Sequence, residues 1–113
     1  MHELGICDAL LKMVRNISKE EALQEISRIT VEIGSLSGIV PAYMADCWTA
    51  VTDGTELEAV DFIIEELQGT ARCLDCEAEF PADAEHLTCP KCNGSKLTPL
   101  TGRDLTLKEI LAD

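Results

Sequence analysis

The sequence predicts an α+β fold in which a domain of helices and strands is interrupted by a small domain held together by a metal ion. Three observations lead there. Apolar residues recur at spacings of three and four in two segments, and they alternate with polar residues in three others. Four of the six cysteines form two CxxC pairs. Those pairs lie in a stretch rich in Cys, Pro and Gly, between the second and last alternating segments.

From Glu3 to about Asn16, Leu4, Cys7, Leu10, Leu11 and Val14 form the apolar stripe of an amphipathic helix. The polar run Ser18 to Glu25 either extends this helix or forms a short turn. Ile26 to Ile33 switches period, with Ile29, Val31 and Ile33 on one face and Arg28, Thr30 and Glu32 on the other, as in a half-buried strand. After a loop punctuated by Gly34 and Gly38, Pro41 suits the first turn of a second helix. Met44, Cys47, Trp48 and Val51 supply its apolar face, and Gly54 ends it. Leu57 to Leu67 reads as a second strand, with Val60, Phe62 and Ile64 facing one way. Leu105, Leu107 and Ile110 mark a final strand that returns to the first sheet, which makes the cysteine-rich segment an insertion. The expected domains are 1–70 plus 100–113 and, between them, 71–99.

The inserted segment is too poor in large apolar side chains to build its own core, so a metal must hold it. Its ligands are Cys73 and Cys76, then, after twelve residues, Cys89 and Cys92. Each CxxC turns two sulfurs toward one ion, and two such knuckles supply a tetrahedral S₄ site. The expected metal is structural Zn²⁺, since a closed Cys₄ shell leaves no position for substrate. A rubredoxin-like iron site would use the same ligands, and a redox CxxC is poorly explained by two paired motifs. His86, three residues before Cys89, reads as an exposed loop histidine, with a place in or beside the metal shell as the alternative.

Composition narrows the function. The chain has 113 residues, 4% of them aromatic, and a formal charge of −12. Such a surface repels phosphate backbones and anionic membranes and favours cations or basic protein faces. Residues 1–70 carry −9 of that charge and residues 71–113 carry −3. No apolar run reaches the roughly 18 residues of a membrane span, and no secretory signal is legible. A cytoplasmic protein is expected, in agreement with CxxC pairs that serve metal rather than disulfides.

The extreme N-terminus reads Met1-His2-Glu3. A large residue at position 2 blocks removal of the initiator methionine, so the expected terminus is the Met1 amine. That group ionises near 7.7–8.0 and is available to a metal at neutral pH. The amine and the His2 amide nitrogen close a five-membered chelate ring, and the amide with its own imidazole Nδ1 closes a six-membered one. Such nitrogen sets suit square-planar Ni²⁺ or Cu²⁺. Glu3 either supports that site or complements the helix dipole in the first turn.

Met1-His2-Glu3-Leu4 opening a helix, the segment Val31-Glu32-Ile33-Gly34-Ser35-Leu36-Ser37-Gly38, a Pro-started helix and CxxC-x₁₂-CxxC together resemble the HypA/HybF family over the whole chain. These are nickel-insertion accessory proteins of NiFe-hydrogenase maturation. The resemblance implies two helices on a three-stranded mixed sheet, forming a nickel domain, joined to a zinc ribbon. It implies Ni²⁺ as cargo at Met1 and His2, with Glu3 in support, and structural Zn²⁺ on Cys73, Cys76, Cys89 and Cys92. The implied partners are a HypB-type GTPase, the hydrogenase large-subunit precursor and, in some organisms, urease accessory proteins. Some members carry histidines flanking both cysteine pairs, whereas here His86 alone lies near one of them. Cys7 follows Glu3 by one helical turn but sits on the apolar stripe, where it and Cys47 read as core thiols.

No phosphate-cradling glycine loop and no Ser/His or Cys/His nucleophile pair is present, so the expected protein is a metallochaperone and not an enzyme. Its oligomeric state, monomer or homodimer, is left open by the sequence. The main alternative is a zinc-ribbon interaction module without a nickel role, and a thiol oxidoreductase is a third reading. Nucleic acid is disfavoured because the ribbon and last strand offer only Arg72, Lys91, Lys96, Arg103 and Lys108.

Overall fold

The computed structural model describes residues 3–112. In chain order the elements are α1 (Glu3–Glu20), β1 (Ile26–Gly34), α2 (Pro41–Thr52), β2 (Asp61–Leu67), β3 (Gly69–Cys73), β4 (Glu79–Ala82), β5 (Leu97–Thr101) and β6 (Leu105–Ala112). The strands form two three-stranded sheets, ordered β2-β1-β6 and β4-β3-β5. The architecture is α+β, and the last strand does return to the first sheet. The chain divides into two compact units. One gathers the chain up to Val31, Val40–Glu65 and the chain from Thr106, and the other gathers Glu32–Ile39 and Glu66–Leu105.

The first unit is built on two facing apolar stripes. Cys7, Leu10, Leu11 and Val14 of α1 are buried, as are Met44, Trp48 and Thr52 of α2 and Ile29 and Val31 of β1. Full burial of side chains such as Leu10, Ile29 and Met44 is worth roughly 2 kcal/mol each. Helix α1 runs through Ser18 to Glu20, with Lys19 in its last turn favouring the negative end of the dipole. Helix α2 starts on Pro41, whose missing N–H costs nothing there. At its end Thr52 Oγ1 donates to the Trp48 carbonyl at 2.7 Å, and Thr55 Oγ1 donates to the Thr52 carbonyl at 2.7 Å. Turns then occupy the residues after α2, so β2 begins at Asp61 rather than at the expected Leu57. Leu57 is buried all the same, which is why its apolarity read as strand. Trp48 stacks on Phe62 with ring centroids 4.5 Å apart and planes 8° from parallel.

Sheet directions follow from a few contacts. Ser27 Oγ donates to the Leu111 carbonyl at 3.2 Å, and the Gly34 N–H donates to the Asp104 carbonyl at 3.0 Å, so β1 and β6 run antiparallel. The Ser35 N–H donates to the Leu67 carbonyl at 2.9 Å. This brings the C-terminal ends of β1 and β2 together, as in a parallel pair joined by a helical crossover. The sheet is mixed.

In the second unit β3 pairs antiparallel with both β4 and β5, with an irregularity between Thr70 and Ala71 on the β5 side. A small core of Ala71, Cys73, Phe80, Ala82 and Cys89 is flanked by Leu36, Cys76, Ala78 and Leu97. The Gly34–Gly38 segment is bound to this sheet through one hydroxyl. Ser35 Oγ accepts from the Gly69 N–H and donates to the Ala82 carbonyl, both at 2.7 Å. Beside it Gly34 and Gly102 pass with no room for a side chain: a β-carbon on Gly34 would lie 2.1 Å from the Gly102 carbonyl oxygen. Gly102 is also left-handed, at φ +82°.

Among the described residues no helix is long and apolar enough to cross a membrane. Two substitutions separate close approach from backbone strain. Gly38 is left-handed at φ +79° but faces open space, so Gly38→Ala should cost only about 1 kcal/mol. Gly34→Ala must displace backbone and should cost about 3 kcal/mol or more. Thermal unfolding of both variants checks the order, and equal shifts would contradict it.

Candidate metal centre

Each CxxC is folded into a tight turn by backbone hydrogen bonds. Cys73 is the last residue of β3, and its N–H donates to the Ala78 carbonyl at 2.8 Å. The Glu77 N–H closes the first knuckle on the Cys73 carbonyl at 2.8 Å. The second knuckle repeats the pattern, with the Asn93 N–H donating to the Cys89 carbonyl at 2.9 Å and the Cys89 N–H to the Gly94 carbonyl at 2.8 Å. In both, the fourth residue after the first cysteine is left-handed: Glu77 at φ 64° and Asn93 at φ 63°. Asparagine adopts that conformation readily and glutamate does not, so the sequence announces the second turn through Asn93-Gly94 and gives no signal for the first.

The four sulfurs of Cys73, Cys76, Cys89 and Cys92 all lie within 4.8 Å of one another. The Cys73–Cys92 and Cys76–Cys89 sulfur pairs are each 3.5 Å apart. A regular ZnS₄ tetrahedron with Zn–S near 2.3 Å has edges of about 3.8 Å, so the donor set fits such an ion in number, softness and spacing. Cys73 and Cys89 are buried, Cys76 is half-buried and Cys92 is exposed. The Cys92 and Lys91 N–H groups both point to Cys89 Sγ at 3.4 Å. The Cys92 contact above all pulls the Cys89 thiol down to about 6, against the opposing effect of burial. Cys92 is pushed up to about 12: its Gly94 backbone contact favours the thiolate, but crowding by the Cys73, Cys76 and Cys89 side chains and desolvation outweigh it. Four such sulfurs ionise together only if a cation neutralises them. Gly94 closes the cage, since a β-carbon there would sit 2.9 Å from Asp75 Oδ2 and 3.2 Å from Cys92 Sγ.

His86 is outside this sulfur group. It is an exposed histidine whose Nδ1 lies 2.8 Å from Asp83 Oδ1, and that contact, first among several, holds the Asp83 carboxyl below its usual range. Of the expected nickel residues, Met1 and His2 lie outside the described residues. Glu3 is half-buried in the first turn of α1. Cys7, one turn on, is fully buried, and its thiol donates to the Met44 carbonyl at 3.4 Å. Burial first, then the Cys47 thiol and the Glu3 carboxylate, push Cys7 up to about 11. Cys47, expected in the core, is half-buried because it stands at the margin of the α2 stripe.

Comparison with known proteins completes the picture. Residues 1–112 match the family described as "Hydrogenase/urease nickel incorporation, metallochaperone, hypA". The chain is 34% identical over 110 residues to the hydrogenase maturation factor HypA of Geotalea uraniireducens, with 97% of each chain covered. It is 37% identical over 111 residues to that of Geotalea daltonii, again with 97% of each covered. Its fold is similar to the solution structure of the Ni metallochaperone HypA from Helicobacter pylori, with a TM-score of 0.68 at 19% identity, covering 99% of this chain and 97% of that one. The chain belongs to the HypA family of nickel-incorporation metallochaperones, a family of hydrogenase maturation factors rather than of catalysts.

Proposed function

We propose that this protein carries Ni²⁺ on its N-terminal residues and delivers it for insertion into the large-subunit precursor of a NiFe hydrogenase. The observation that carries the reading is the order of the chain at its start: His2 immediately precedes a helix that begins at Glu3 and is anchored one turn later by the buried Cys7. The Met1 amine, the His2 imidazole and backbone nitrogens are the donors, and Glu3 supports them. Nickel is cargo here, so the site must release as well as bind. The partners that fit this task are a HypB-type GTPase and the hydrogenase precursor, with urease accessory proteins as further candidates, and the place of work is the cytoplasm.

Cys73, Cys76, Cys89 and Cys92 would hold Zn²⁺, whose role is to lock the ribbon. A four-thiolate shell has no open coordination position, and no general base is needed beside it. The domains proposed on this basis are residues 1–70 with 100–113 for nickel and 71–99 for zinc, the zinc stretch lying inside the compact unit that gathers Glu32–Ile39 and Glu66–Leu105.

Three outcomes test the reading. In untagged protein, His2→Ala or any residue added before Met1 should abolish stoichiometric Ni²⁺ binding, measured by calorimetry, while one Zn²⁺ per chain remains. Nickel retained by both variants would sink the assignment. Added Cu²⁺ should displace Ni²⁺ from the wild-type terminus, because nitrogen sites follow the usual divalent order. Cys73→Ser or Cys92→Ser should lose zinc and unfold the ribbon while the helical far-UV signal persists, and loss of that signal would make the ribbon integral to the helical core.

A further inference from the structure

Cys7 and Cys47 belong neither to the sulfur cluster nor to the nickel donors. They lie on the facing stripes of α1 and α2. The Cys7 thiol donates to the Met44 carbonyl at 3.4 Å, and in an α-helix that carbonyl points along the axis toward the residues three and four positions on, Cys47 and Trp48. Cys7 therefore meets α2 at the carbonyl that Cys47 follows by one helical turn. The Cys47 thiol is also one of the groups that act electrostatically on Cys7. Packed helices with axes about 8–10 Å apart bring facing Cα atoms to roughly 4–6 Å, which is the window a disulfide needs. Access is unequal: Cys7 is fully buried, while Cys47 is half-buried at the edge of the helix pair.

We propose that Cys47 and Cys7 form an oxidisable dithiol, a modification site at which Cys47 meets a low-molecular-weight disulfide and Cys7 resolves the product into an intramolecular disulfide joining α1 to α2. The Cys47 thiolate attacks one sulfur of the small disulfide and expels a small thiolate. Cys7 gives its proton to solvent, and its sulfur attacks that of Cys47 and expels the second small thiolate. Each thiolate leaving takes up a proton. The net change is one protein dithiol and one small disulfide going to one protein disulfide and two small thiols. The buried position of Cys7 makes the second step the slower one, so a mixed disulfide at Cys47 precedes the closed form.

The test treats the zinc-loaded full chain with glutathione disulfide, alkylates the remaining thiols and maps peptides by mass spectrometry. The expected sequence is a transient adduct of one glutathione on Cys47, followed by a linked Cys7–Cys47 peptide pair, two hydrogens lighter than the reduced pair, in unaltered monomer. Closure should raise Tm, because it constrains the unfolded chain. Cys47→Ser should abolish both products, and Cys7→Ser should leave the mixed disulfide as the end point. Glutathione on no residue, disulfides confined to Cys73, Cys76, Cys89 and Cys92, or Cys47 linked only between chains would each overturn the proposal. The wild-type map decides even if Cys7→Ser fails to fold.

Discussion

Gly34 and Gly102 pass so closely that a β-carbon on Gly34 would strike the Gly102 backbone, and one on Gly102 would strike the Gly69 backbone. At this point β1 ends and the chain returns toward β6, and the Gly34 N–H to Asp104 and Leu36 N–H to Gly102 hydrogen bonds, 3.0 and 2.8 Å, leave no slack. Ser35, between them, spends its one hydroxyl on two backbone groups, the Gly69 N–H and the Ala82 carbonyl. These are paired residues in the register of β3 and β4. A buried backbone group without a partner costs about as much as a lost hydrogen bond, so one serine here stands in for two strand contacts. The excursion from Gly69 to Thr101 can therefore be a folded sheet rather than a loop.

That sheet could not stand on its apolar residues. Its core has one large side chain, Phe80, and two of its five buried members are the cysteines Cys73 and Cys89. Sulfur here is at once packing material and a candidate metal donor. The same crowding that closes the core forces four thiols together, and their opposed shifts, Cys89 down to about 6 and Cys92 up to about 12, express a charge conflict that a divalent cation relieves. For a segment that closes on a metal in this way, metal binding and folding are one process.

The helix stripes, the first strand, the last strand and the two CxxC knuckles were legible because each obeys a single local rule: a period, a punctuating glycine or proline, a ligand spacing. Sequence reasoning missed the elements that depend on distant partners. Leu57 reads as strand because it is apolar, yet it is buried from a turn. The three short strands of the ribbon have no alternation long enough to notice, and their existence rests on the Ser35 hydroxyl and on the sulfur cluster. Cys47 shares the α2 stripe with Trp48, but period alone cannot tell the centre of a stripe from its margin. The proposed nickel terminus is the reverse case. Three residues in a row can be named from chelate chemistry, and the ligand role proposed for them rests on chemistry rather than on packing.

A carrier of this kind faces a thermodynamic constraint that its own donors cannot solve. Amide and imidazole nitrogens follow the divalent order in which Cu²⁺ exceeds Ni²⁺, so the terminal donors proposed above would not by themselves make nickel the preferred ion. Selectivity has to come from which ion is available and from what docks around the terminus. Tightness is bounded in the same way. A micromolar site holds its ion by roughly 8 kcal/mol, and each further tenfold in affinity is another 1.4 kcal/mol that the recipient must exceed. The acid excess of residues 1–70, net −9, helps within that bound. A negative field raises the local concentration of a divalent cation and quickens its capture without adding a ligand that would have to let go.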